Sequence, residues 1–256
     1  MNITSFNREQ IEDGLKRARI QSGESDGTVR LLFSPFEITS QNFDETCLIY
    51  SRLSKNDYNT VVVVESHPGS GSKKLPMPSF KIVKTPLGEV AANEQLRNDF
   101  ADEDDDFFID DEAFDDDVSL FNQLMLLQTT LTGFDVLNIQ ITDENSFIVR
   151  ELAFAIEEIL GSKNALVVFC CELESSYRDE LIRAKNDIDH GNESGLMNYL
   201  NGGDSHVRGV SSFVAGLLVA KKWGLKIHFP ALEDHDGNST NLLNGYAVMQ
   251  RQPIFG

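Results

Sequence analysis

The chain has 256 residues, 41% of them hydrophobic and 9% aromatic, enough to bury one large α/β core or two small ones, and too apolar for a disordered chain. Its net charge of −19 makes nucleic acid and anionic membrane surfaces poor partners, because nothing here neutralises a phosphate backbone. Twelve acids and no base lie in residues 99–117; without them 29 acids face 22 bases, so most of the acidity is one local insertion.

In chain order, Ile11, Leu15, Ala18 and Ile20 recur at helical spacing and predict a helix over 8–20. A Ser/Gly/Asp stretch then leads into a strand over 29–34, and a helix is expected over 43–53. The β-branched run Thr60 to Glu65 lacks alternation and predicts a strand buried on both faces, as in a parallel sheet. Prolines and glycines over 68–79 predict a loop; Phe80 to Val83 reads as a short strand and Val90 to Asn98 as a short helix. A helix is expected from Val118 to about Leu131. Beyond it the strands Asp135 to Ile141 and Asn164 to Leu173 alternate with helices over Glu144 to Leu160, 176–200 and Ser205 to Lys222, before final strands at Leu225 to Phe229 and Leu242 to Met249. Such alternation means βαβ units, so the expected fold is α/β: a single domain with a mostly parallel, mixed sheet and helices on both faces.

No apolar run approaches the roughly 20 residues that span a bilayer. The first residues lack a basic start followed by an apolar core, so no leader is expected. Cys47, Cys170 and Cys171 form no secreted disulfide framework, and a reducing cytoplasm is the expected compartment. Adjacent Cys170 and Cys171 on a strand would point to opposite faces.

Several strand ends carry suggestive residues: Ser34-Pro35-Phe36-Glu37, Glu65-Ser66-His67-Pro68 and Cys170-Cys171-Glu172-Leu173-Glu174-Ser175. With Thr85-Pro86-Leu87-Gly88, Ser119 and Gln123 in the frame Asp117 to Leu127, Gly202-Gly203 and Asn244-Gly245-Tyr246, their order resembles the Memo-like family, the AmmeMemoRadiSam protein B group related to LigB-type extradiol dioxygenases. The resemblance spans about residues 29–249. It implies a Memo/LigB-like fold, a metal centre at the strand ends and cooperation with radical SAM and AMMECR-type partners.

This sequence departs from that pattern where it matters most. Phe36, Val118 and Phe121 stand where the family pattern has His, His and Glu; the His of the Ser-Ser-Asp-x-Ser-His segment is Ser175, and its Cys-Gly segment is Gly202-Gly203. An iron, copper or zinc centre needs converging imidazoles, carboxylates or thiolates. His67 is the one surviving candidate ligand, and Phe36, Val118 and Phe121 are expected to fill and dry the pocket beside Gln123, Ser175 and Gly202.

Two functions follow as expectations. The first is a protein with a degenerate metal site and no cofactor that acts by binding or scaffolding. The second is an enzyme with a remodelled site using His67 and Glu172 on a small molecule, which requires both side chains in one cleft. Each has a plainer alternative: His67 as a polar loop residue, Glu172 as a salt-bridged or capping carboxylate. The cysteine pair reads as buried strand residues. His190, His206, His228 and His235 form no ligand spacing. Gly69-Ser70-Gly71-Ser72-Lys73-Lys74 lacks the ending and the helix of a phosphate loop. The acidic stretch reads as a solvated loop, or as a docking segment for a basic protein partner with Phe100, Phe107, Phe108 and Phe114 as anchors.

Overall fold

The computed structural model describes residues 1–22, 27–114, 119–233 and 239–250. The N-terminal half runs α1 (Arg8–Ser22), β1 (Gly27–Ser34), α2 (Phe43–Tyr50), β2 (Thr60–Ser66), β3 (Leu75–Met77), β4 (Ile82–Thr85), β5 (Gly88–Ala91), α3 (Glu94–Glu103), β6 (Phe107–Ile109) and α4 (Leu120–Thr130). The C-terminal half runs β7 (Asp135–Ile141), α5 (Ser146–Leu160), β8 (Ala165–Cys170), α6 (Arg178–Asp189), α7 (Glu193–Asn201), α8 (Val210–Lys222), β9 (Lys226–His228), α9 (Pro230–Glu233) and β10 (Gly245–Gln250).

Among the described residues the central sheet has six strands in the order β7-β2-β8-β1-β10-β9. The four strands from β7 to β1 are parallel, while β10 runs antiparallel to both β1 and β9. This is the single α/β domain with a mostly parallel sheet that the alternation implies. β2 is buried along its whole length, as a run without alternation requires when both faces are covered. Val61 and Val63 pack with α1, α2 and α4 on one face; Val62 and Val64 pack with α5 to α8 on the other. Cys170 and Cys171 fall in opposite layers, as a period of two dictates. α8 lies closest to the sheet, and a Cβ on Gly216 would stand 2.5 Å from the Phe33 ring.

Three local expectations need correction. The proline loop contains β3, which pairs in parallel with β6 of the acidic stretch. Thr85-Pro86-Leu87-Gly88 is a hairpin turn between β4 and β5, with Gly88 at φ +131°, so Val90 belongs to a strand and the helix starts only at Glu94, capped by the Asn93 side chain on Leu96 N–H. The helix expected from Ser205 begins at Val210, because Gly209 is left-handed (φ +76°) and the residues before it run across the sheet end.

The acidic stretch is also more than a solvated loop over its described part. Phe100 and Phe107 are buried in the domain's own core, 5.2 Å apart by ring centroids, so they are not free anchors. Asp106 pairs with Lys74 at 2.7 Å, and Asp111 accepts from Ser79 N–H and Oγ. Asp115, Asp116, Asp117 and Val118 lie outside the described residues.

Candidate functional site

In open α/β sheets, ligand sites lie outside the carboxyl ends of the strands. Here β1, β2, β7 and β8 deliver their ends to one side, with Ser34 level with Cys170 and Ser66 level with Ile141. The residues that follow, Pro35-Phe36, His67-Pro68 and Cys171-Glu172, therefore meet above the sheet.

The hub beneath them is Glu65, whose side chain is fully buried. Its carboxylate accepts from Ser119 N–H (2.8 Å), Ser119 Oγ (2.6 Å), Asn138 Nδ2 (3.0 Å) and His67 Nε2 (3.0 Å). A buried carboxyl group needs such hydrogen-bond partners to be tolerated. Ser119 Oγ also sits 3.1 Å from Cys170 Sγ. Burial and the nearby Glu65 push the Cys170 thiol well above its ordinary range, and burial does the same to Cys171, so neither is a ready nucleophile. Cys47 is pushed up to about 12 by burial and the neighbouring Asp44.

Above this hub four residues interlock. Phe36, 2% exposed, meets the His67 ring edge to face at 5.6 Å. The Arg208 guanidinium lies 4.5 Å over the same Phe36 ring. Arg208 pairs with Glu172 at 3.1 Å, and the Glu172 carboxylate accepts from the backbone N–H of Phe36 (3.0 Å) and Glu37 (3.4 Å). Backbone bonds between residues 172 and 208 in both directions complete the clamp. Gln123 anchors it from below. Its Oε1 accepts from Ser34 Oγ (2.9 Å) and from Tyr50 OH, and its Nε2 donates to Pro35 O (2.8 Å).

His67 and Glu172 are thus tied to the same clamp, yet they line different hollows with Arg208 between them. His67 lines one of about 540 Å³ with Ser66, Glu144 and Gly209. Glu172 lines another of about 550 Å³ with Glu37, Tyr177 and His206. The expected common cleft is not formed, because the Arg208 segment laid between α7 and α8 divides the space. The other pocket candidates scatter. Phe121 is 40% exposed and does not fill the pocket. Ser175 is exposed and lines a third hollow beside Glu45 and Arg178. Gly202 caps α7 and lines neither strand-end hollow. Val118 and His235 lie outside the described residues.

A metal does not fit these residues. Among the described residues no three His, Cys, Asp or Glu side chains group so as to hold one. His67 Nε2 is taken by Glu65, and the Phe36 phenyl ring packs edge to face against the imidazole.

Sequence reasoning missed Glu65, Arg208 and a second pair, Glu180 with His206. Glu65 left a signal, since residues two apart on a strand share a face and it stands two before His67. Glu180 and His206 are brought together only by the packing of α6 against the 205–209 segment. Glu180, 5% exposed, accepts from Tyr199 OH (2.5 Å), Ser205 Oγ (3.0 Å) and His206 N–H (3.0 Å) on one oxygen, and contacts His206 Nδ1 (3.0 Å) with the other.

No curated protein matches the chain. The family model for Memo-like protein matches residues 6–247, nearly the whole domain and every strand end described above. The order of those strand ends and the α/β architecture agree with that match, and the chain belongs to the Memo-like family.

Proposed function

We propose that this chain is a Memo-like protein that has lost the family's metal chemistry and acts by binding, at the hollows outside the carboxyl ends of β1, β2 and β8. The observation that carries the reading is Phe36, seated between His67 and Arg208 where the family pattern has a ligand histidine. A phenyl ring offers no metal ligand, and here it packs edge to face against His67, the imidazole that remains of the family pattern. Glu172 supports the same reading, since both its oxygens are engaged in holding the clamp.

The test is elemental mass spectrometry on untagged protein purified without chelator, with His67→Ala beside it. Folded protein with well under 0.1 metal per chain, unchanged in the variant, is expected. Near-stoichiometric iron, copper or zinc that disappears in His67→Ala sinks the proposal.

A second reading, an enzyme built on His67, draws on the buried Glu65 that holds its Nε2, the arrangement that orients catalytic imidazoles. Glu172 would join it on a shared substrate only if Arg208 moved aside, so Arg208→Ala should then raise rather than abolish any activity found.

A further inference from the structure

We propose that His206, oriented by Glu180 and Tyr177, is the hydrogen-bond-accepting centre of a binding site for a small organic amine, in the hollow shared with Glu172 and Arg208. The proposal deepens the binding reading above and rests on it.

The geometry fixes which imidazole nitrogen is offered. Burial would raise the Glu180 carboxyl, but hydrogen bonds from Tyr199, from the backbone and ring of His206 and from Ser205 outweigh it and hold the group below its usual range. Glu180 is therefore ionised at neutral pH and can only accept, so the proton of the 3.0 Å contact belongs to His206 Nδ1. In the neutral ring Nε2 is then an acceptor, and among the described residues it has no partner. The ring lies parallel on Tyr177, with centroids 3.8 Å apart and planes at 16°, which fixes its plane as Glu180 fixes its rotation. His206 is half exposed and lines the 550 Å³ hollow. The Glu180 bond and the Tyr177 stack hold the imidazole in one orientation, so a ligand would not have to order it on binding.

Charge selects the ligand class. The hollow carries Glu37, Glu172 and Glu174 against Arg208, which Glu172 already neutralises. The exposed carboxylates of Glu37 and Glu174 have no partner among the described residues. An acceptor nitrogen beside unpaired carboxylates suits a cation that donates N–H groups, and a net charge of −19 steers such a cation toward the protein. An anion or carboxylic acid meets repulsion instead.

The test uses the full chain, with putrescine as probe, succinate as its anionic counterpart and butane-1,4-diol as its neutral one. Calorimetry at about 50 mM salt, where surface attraction is incompletely screened, is paired with long-range proton–nitrogen spectra of the histidine rings. Saturable putrescine binding is expected, at least about tenfold tighter than the diol, with a shift of the His206 ring signals and an Nδ1–H tautomer. His206→Gln should weaken it about tenfold, while His190→Gln, at an exposed histidine whose ring bonds only the Asn186 carbonyl and which lines neither strand-end hollow, leaves it unchanged. Absence of saturable binding, equal affinity in His206→Gln, preference for succinate, or an Nε2–H tautomer each overturns the proposal. Metal content of His67→Ala is independent of all these readouts, so failure here and failure of the metal-free reading are distinguishable.

Discussion

At the residue scale, the two buried glutamates decide what the strand-end region can be. Glu65 and Glu180 are each the shared acceptor of a histidine and a set of hydroxyl or backbone donors, so each is a structural hub before it is anything else. For Glu180 the consequence can be measured. Its folded value lies below that of the unfolded chain, so its contribution to stability is fully present above the unfolded carboxylate range, near pH 4.3, and is lost as pH falls through the lower folded value. Urea unfolding across pH 3 to 7 should show that loss in the native chain. In Glu180→Gln the profile should be flatter, and at pH 7 the variant should be about 1.5–3 kcal/mol less stable, the size of hydrogen bonds to a charged group. Equal slopes in the two proteins would place the acid sensitivity elsewhere. His67 was legible as a candidate from its place after the strand, but its ties were not: Glu65 stands two residues away, whereas Phe36 and Ser119 reach it or its hub from distant segments.

At the element scale, α8 follows the Arg208 segment, which lines both hollows. It starts abruptly at Val210 because Gly209 turns the chain with φ +76°, a conformation that costs an L side chain about 1–2 kcal/mol. There is no room either: a Cβ at Gly209 would stand 2.7 Å from Phe36 Cζ and 2.8 Å from the Cys170 carbonyl oxygen. Gly209→Ala should therefore cost roughly 2–4 kcal/mol in a chemical melt, from backbone strain and overpacking together. It should also shift the Phe36 ring signals, since that ring must give way. A variant as stable as the parent would mean that the Phe36 clamp is loose and the strand-end region open. The sequence placed this helix five residues too early, because Ser205 and His206 carry no local signal against helix. The βαβ frame was easier to read, since Val61 to Val64 and Leu166 to Phe169 are unbroken apolar runs, and Val136, Leu137, Ile139 and Ile141 make β7 mostly apolar. β3 and β6 were not readable, because a three-residue strand has too few residues to show a period and is specified by its partner.

At the scale of the whole molecule, charge and layering dominate. A net charge of −19 on one domain opposes compaction by self-repulsion, most strongly at low ionic strength. Raising sodium chloride from about 10 mM to about 500 mM should therefore raise the melting temperature by several degrees. A flat or falling response would show that local pairs such as Asp106 with Lys74 and Asp99 with Lys163, which salt weakens, outweigh the general repulsion. No helix among the described residues is long and apolar enough to cross a membrane.

The sequence by itself determined the fold class, the succession of the main strands and helices along the chain and the family resemblance. Those follow from local periodicity and from short segments at strand ends, which the chain carries wherever it folds. Only the tertiary structure decided that Phe121 faces outward, that Phe100 and Phe107 of the acidic stretch are spent on the domain's own core, and that Arg208 separates His67 from Glu172. It alone joined Glu180 to His206 across 26 positions. Each of these depends on which face of an element meets which neighbour, a matter of packing between segments far apart in the chain that no local pattern encodes.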